Sequence, residues 1–202
     1  MEFQDVVRRR RMVRNYTDEP LPDGALDRML ANAVRAPSAG FSQGWAFLVL
    51  EERSDTARFW SAVFPSDERD GFAYPGLFRA PAIVVPLSSK SVYLDRYAEP
   101  DKGWTDRDES RWPVPYWDID TGMAALLILQ TAVDLGLGAL FFGIFPSRMT
   151  AFRAAFGVPE SWTPIGAITV GHPAPDAPSP SLRRGRRPPA DVVHRGSWGA
   201  RR

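Results

Sequence analysis

A chain of 202 residues is long enough for one sizeable core and short for two, so a single domain over residues 1–202 is the expectation. Lys plus Arg number 25 against 24 Asp plus Glu, which leaves no overall field to steer nucleic acid or an anionic membrane. The absence of cysteine removes disulfide frameworks, thiolate nucleophiles, iron–sulfur clusters and cysteine-ligated zinc. The opening MEFQDVVRRRRM lacks the apolar core of a signal peptide, and no apolar run approaches the roughly 20 residues that span a bilayer. A cytoplasmic protein with neither nucleic acid nor membrane as partner is expected. Seven Trp and twelve Phe imply a core or binding surface rich in large rings.

In chain order, residues 2–11 read as a first helix. Two prolines then make a turn, with Asp23 as a plausible N-cap. Leu26, Met29, Leu30, Ala33 and Val34 recur at helical spacing, which predicts a helix over 24–35 that Pro37 ends. WAFLVL (45–50) and AIVVPL (82–87) are short apolar runs of the kind found in a sheet covered on two faces, and between them 54–64 reads as a helix with Phe59, Trp60 and Val63 inward. The stretch 90–117 mixes charge, proline and aromatics, and reads as a long excursion suited to a lid or binding loop. From Asp120, DTGMAALLILQTAVDLGLG is apolar on nearly every side, which predicts a central buried helix. ALFFG (139–143) and IGAITVG (165–171) are further strands, separated by a helix over 147–156 that Ser147 can cap and Gly157 terminate. Gly136 and Gly138 read as a helix C-cap. From Pro173 to residue 202 the chain has too many prolines to pack as a core and reads as an extended tail. Helices alternating with short apolar strands give an α/β or α+β layered domain.

Candidate chemistry is sparse. RRRRMVR (8–14) is either a solvated basic face or an anion grip in which Arg8 and Arg11 share a helix face with Arg14 just beyond. RRGRRPP (183–189) is either a basic tail or a second half of that grip. His172 and His194 lack metal-ligand spacing, so no metal is expected, and His172 before Pro173 reads as a turn residue. Nucleophile elbow, P-loop and dinucleotide-binding motifs are absent. If the chain is an enzyme, its hard chemistry then falls to a bound organic cofactor.

RRMVRNYTDEPLP, APSAGFSQGWAFLVL, DTGMAALLILQTAVDLGLGALFFG, GHPAP and RRPPADVVH, in this order and spacing, resemble the FMN-dependent nitroreductase family along most of the chain. That resemblance implies an α+β fold with a central, mostly antiparallel sheet flanked by helices. It also implies an intertwined homodimer with FMN at the subunit interface, and NADPH or NADH as electron donor. It matches Arg10, Arg14 and neighbouring Arg11 to the residues that grip the FMN phosphate and ribityl chain. Pro37, Ser38 and Ala39 match the loop that approaches the isoalloxazine, Gln43 its amide, and Phe142 and Gly143 the backbone beside the flavin. Arg187, with Arg186 or Arg184, matches the C-terminal basic residues that close on the phosphate. The implied activity is hydride transfer through flavin to a small nitroaromatic, quinone or conjugated acceptor, with no catalytic side chain required. Met12 stands where the family has Ser, Gly44 where it has Pro, and Phe41 where it has Asn. Phe41 is thereby placed on the substrate side of the flavin, stacking on it or occluding it. These departures keep open a flavin-sequestering protein, and the scaffold keeps open a flavin-using dehydrogenase or flavin-fragmenting enzyme.

Overall fold

The computed structural model describes residues 1–200; the last two residues of the expected tail, 201 and 202, lie outside them. Five strands, β1 (Trp45–Leu50), β2 (Ala82–Ser88), β3 (Gly138–Phe142), β4 (Thr163–Pro164) and β5 (Ala167–Gly171), form one sheet. Its order is β1-β2-β5-β3, with β4 paired to β2, and every ladder is antiparallel. The α+β expectation therefore holds.

Side chains alternate across a strand, so each strand feeds two cores. Ala82, Val84, Ala139, Ile168 and Val170 face α2 (Ala25–Ala33) and α6 (Tyr116–Asp134). Ile83, Val85, Leu87 and Leu140 face α3 (Arg53–Val63) and α7 (Met149–Phe156). Ile83, Val84 and Val85 are fully buried in succession, as a strand covered on two faces requires. Each such side chain contributes roughly 1.5–3 kcal/mol of burial. Gly157 ends α7 in the left-handed conformation expected of a C-cap glycine.

Several local expectations are corrected. The first helix, α1 (Phe3–Arg9), stops before Arg10, so Arg8 and Arg11 share no helix face; Arg8 turns to solvent beside Asp5. Gly24, not Asp23, precedes α2, and its backbone is left-handed. Ser147 makes no capping bond, because it lies within a 3₁₀ turn over 146–148 and Arg148 is the residue that precedes α7. Gly138 lies in β3 and leaves the C-cap to Gly136. The excursion is not a loop throughout: it opens with α5 (Lys90–Ala98) and ends in the first turn of α6, which begins at Tyr116 rather than Asp120. Tyr93 and Tyr97, one turn apart, pack edge-on with Trp112, and Trp104 and Trp117 join the same cluster. Ring packing outweighs the local charge and proline content. Finally, α6 is not covered all round: Ile119 and Leu126 are 43% and 44% exposed. Short helices α4 (Ser66–Arg69) and α8 (Pro189–Val192) complete the chain.

Candidate active site

After α1 the chain runs extended beside β3. Met12 bridges Ala139, and the Val13 amide donates to the Ala139 carbonyl at 3.0 Å. Gly138 permits this approach, since a Cβ there would stand 2.8 Å from Val13 Cγ2. The Met12 sulfur accepts from the Phe141 amide at 3.5 Å, so the residue replacing the family's Ser satisfies an edge donor of the sheet. Farther along, Tyr16 is buried with its hydroxyl against the Val13 carbonyl and Thr169 Oγ1, each at 2.9 Å. Burial pushes its pKa well above the ordinary phenol value. This anchoring sets the direction of Arg14.

Two cavities meet at Arg14. One, of about 480 Å³, is walled by Trp60, Phe72, Tyr74, Phe142 and Gly143. Trp60 and Phe142 stack within 10° of parallel at 5.8 Å, and the Arg14 guanidinium lies 5.5 Å over the Tyr74 ring. The other, of about 500 Å³, is lined by Arg10, Arg11, Arg14 and Arg186, with Ser179 and Ser181. Arg14 thus borders both an apolar slot and a cationic one.

Asp176 organises the cationic end. Its side chain is 4% exposed and sits 3.4 Å from Arg11 Nη1. Its Oδ2 also accepts from the Arg14 amide at 2.8 Å. Together with the bond from Asn15 Nδ2 to the Pro175 carbonyl, this binds the segment after β5 to the extended segment that follows α1. Arg10 Nη1 is buried and has no partner among the described residues. A buried guanidinium nitrogen without an acceptor is costly, and because Arg10 lines this cavity, a modest turn of its side chain would bring that nitrogen to an anion there. The donor set fits a phosphate, and the adjoining slot fits a flat ring.

Of the residues expected from sequence, Arg10, Arg11, Arg14 and Arg186 converge on one cavity, and Phe142 and Gly143 reach it through Arg14. Arg184 and Arg187 line neither cavity; Arg187 bonds instead to the Asp191 carbonyl. Pro37, Ser38, Ala39 and Gln43 also line neither. Their loop is held elsewhere by α5 and α6. Asp120, 2% exposed, accepts from the Ala39 amide at 2.8 Å and from the Tyr93 hydroxyl at 2.7 Å. Burial, reinforced by that bond, raises the Tyr93 pKa far above the usual phenol range. Glycines at 40 and 44 accommodate tyrosines, not only a ligand: a Cβ would lie 2.6 Å from Tyr97 Cε2 and 2.5 Å from Tyr93 Cε2 respectively. His172 is not in a turn as expected: it runs extended between the end of β5 and the Pro173 bridge to Tyr16, its carbonyl accepting from the Thr17 amide and its Nε2 3.1 Å from the Pro20 carbonyl. Asp120, Asp176 and Trp60 escaped the sequence reading as site residues. The Tyr93/Tyr97 spacing could have exposed α5, whereas nothing local marks Asp176.

The Nitroreductase family profile matches residues 7–172. An Archaeoglobus fulgidus protein provisionally named NADH dehydrogenase/NAD(P)H nitroreductase is 26% identical over 199 residues, covering 98% of this chain and 99% of its own. The 5,6-dimethylbenzimidazole synthase of Rhodospirillum rubrum is 27% identical over 192 residues, covering 87% of this chain and 83% of its own. A Desulfovibrio desulfuricans protein solved with FMN and provisionally named a nitroreductase superposes with a TM-score of 0.67 at 25% identity, covering 96% of this chain and 95% of its own. The extent of the profile match, joined to the sheet and helix layers described above, places this chain in the nitroreductase family.

Proposed function

We propose that this chain is an FMN-dependent oxidoreductase, one domain per protomer, that moves hydride from NADH or NADPH to a small nitroaromatic, quinone or other conjugated acceptor. The observation that carries this reading is the junction at Arg14 of a cationic and an aromatic-walled cavity, with Arg10 Nη1 buried and unpartnered. FMN, when bound, supplies the two-electron hydride chemistry for which the chain offers no nucleophile of its own. Arg10, Arg11, Arg14 and Arg186 hold the phosphate, while Phe142 and Gly143 lie along the ring. The packed rings of Trp60 and Phe142 keep water from that end, and the protein's contribution to rate is mainly position.

The working unit in this reading is a homodimer. Ile119, Met123 and Leu126 recur along one side of α6, where Ile119 and Leu126 are left exposed. A second copy covers this stripe and brings its Pro37, Ser38, Ala39 and Gln43 to the ring.

Anaerobic mixing of purified, FMN-loaded protein with NADH and then NADPH tests the proposal. Bleaching of the visible band by either nucleotide is the expected result. A protein that takes up no FMN sinks it, and a bound flavin that neither nucleotide reduces supports a sequestering role instead. The likeness to the Rhodospirillum rubrum synthase, as close in identity as that to the Archaeoglobus fulgidus protein, motivates a flavin-consuming second reading. Loss of FMN itself during aerobic turnover, followed by chromatography, distinguishes that reading.

A further inference from the structure

Residues 37–43 fold in a conformation that ordinary side chains avoid. Gly40, Phe41 and Gln43 have φ of 60°, 55° and 51°, and a left-handed backbone is disfavoured for a residue as large as Phe. The Phe41 side chain is nonetheless 73% exposed, so no burial within the chain compensates.

The strain persists because the backbone is held by several hydrogen bonds. The Ala39 amide donates to Asp120 at 2.8 Å. The Phe41 amide donates to the Ser38 carbonyl at 2.9 Å, and the Gln43 amide to Ser38 Oγ at 3.0 Å. Across the same Gly40–Phe41 peptide, Arg96 Nε donates to the Gly40 carbonyl at 3.0 Å. Arg96 is itself fixed by a two-pronged pairing with Asp101, Nη1 to Oδ1 at 2.6 Å and Nη2 to Oδ2 at 2.8 Å. The Tyr97 ring fills the space in which a side chain at position 40 would lie. The early part of the excursion is therefore a scaffold for this loop rather than a lid over it.

We propose that Phe41 determines acceptor specificity and that Arg96 is its positioning residue: the loop of one protomer presents Phe41 to its partner's site as a fixed aromatic wall that favours flat, conjugated acceptors. This inference rests on the functional reading above. A ring held at a set angle stacks on a planar acceptor without first losing rotamer and loop freedom. Arg96 serves both partners because its Nε reaches the loop while the two terminal nitrogens grip Asp101, a fork that a lysine ammonium lacks.

The test uses oxidised, FMN-loaded protein without reductant, titrated with 4-nitrobenzoate and followed by perturbation of the flavin visible band. Phe41→Ala should weaken binding of this probe roughly tenfold, the scale of one lost aromatic contact. Phe41→Tyr should bind it as the parent does, which guards against a misfolded variant. Arg96→Lys, unable to hold both partners, should weaken the probe several-fold and raise the acceptor KM. Parental affinity for 4-nitrobenzoate in both Phe41→Ala and Arg96→Lys, with FMN retained, overturns the inference but leaves the oxidoreductase reading standing. Tighter binding in Phe41→Ala also overturns it, since Phe41 would then occlude the slot. Failure of the parent protein to bind FMN overturns both.

Discussion

Arg14 does three things with one side chain: it stacks on Tyr74, donates to the Met12 carbonyl and borders both cavities. Replacing it by Ala should weaken FMN retention by the roughly 1.5–3 kcal/mol typical of a charge-assisted bond, measured as the flavin dissociation constant. Unchanged affinity would detach Arg14 from the phosphate. The two buried phenols make an alkaline prediction. Tyr16 and Tyr93 have folded-state pKa values above the ordinary value of about 10, mainly through burial. The stability they contribute is complete below about pH 10 and is lost as pH rises toward the folded values. Tyr93→Phe should reduce that loss between pH 9 and pH 11 in urea midpoints, while costing about 1 kcal/mol at pH 8 by removing a bond to Asp120. The arginines were legible as residues because their clustering is unusual in a nearly neutral chain. Asp176 was not, since a lone carboxylate in a proline-rich tail has no pattern until folding sets it against Arg11 and the Arg14 amide.

At the level of elements, α3 could be read almost to the residue because its apolar period matches its burial, and β1 because its unbroken apolar run has the length of a strand, although as an edge strand it buries only Trp45 and Leu50. Helix α5 could not, because only Tyr93 and Leu94 of its nine residues are fully buried and the rest resembles a loop. What stabilises it is contact with an element far away in sequence, through Tyr97 at Gly40 and Tyr93 at Gly44. Gly40→Ala should therefore destabilise the protein through two causes: a left-handed backbone and a clash 2.6 Å from Tyr97 Cε2. A loss of about 1–3 kcal/mol is expected from the backbone term alone. Adding Tyr97→Ala should relieve only the clash, so the double variant should lose less than the sum of the two single changes. Additive losses in chemical denaturation would argue that the tyrosine and glycine are independent.

The whole molecule carries an apolar stripe on α6 and a C-terminal segment tied down by Asp176. In the proposed homodimer, Leu126→Glu places a charge on the stripe and should shift the protein toward monomer in sedimentation, with loss of FMN because each proposed site would then lack its second loop. A flavin-replete monomer would contradict the shared site. Truncation after Pro178 removes Ser179, Ser181 and Arg186 from the cationic cavity. It should raise the FMN dissociation constant and loosen the dimer, whereas an intact, flavin-loaded dimer would leave the tail without a role.

Sequence alone determined the layering of helices and short apolar strands, the doubly covered strands and the presence of two arginine clusters, because periodicity and charge density survive in one dimension; the α+β class and the pairing of the two clusters came only with the family resemblance. The flavin-binding pattern could also be seen there, through motifs in fixed order. Only the tertiary structure decided which arginines converge, why α5 forms inside a charged excursion, and how Phe41 is held out on a left-handed backbone. Those outcomes depend on contacts between residues far apart in the chain: Arg11 with Asp176, Ala39 with Asp120, Gly40 with Arg96. A hydrogen bond or a ring against a glycine exerts its effect only after the chain has brought both partners together, so neither leaves a local trace.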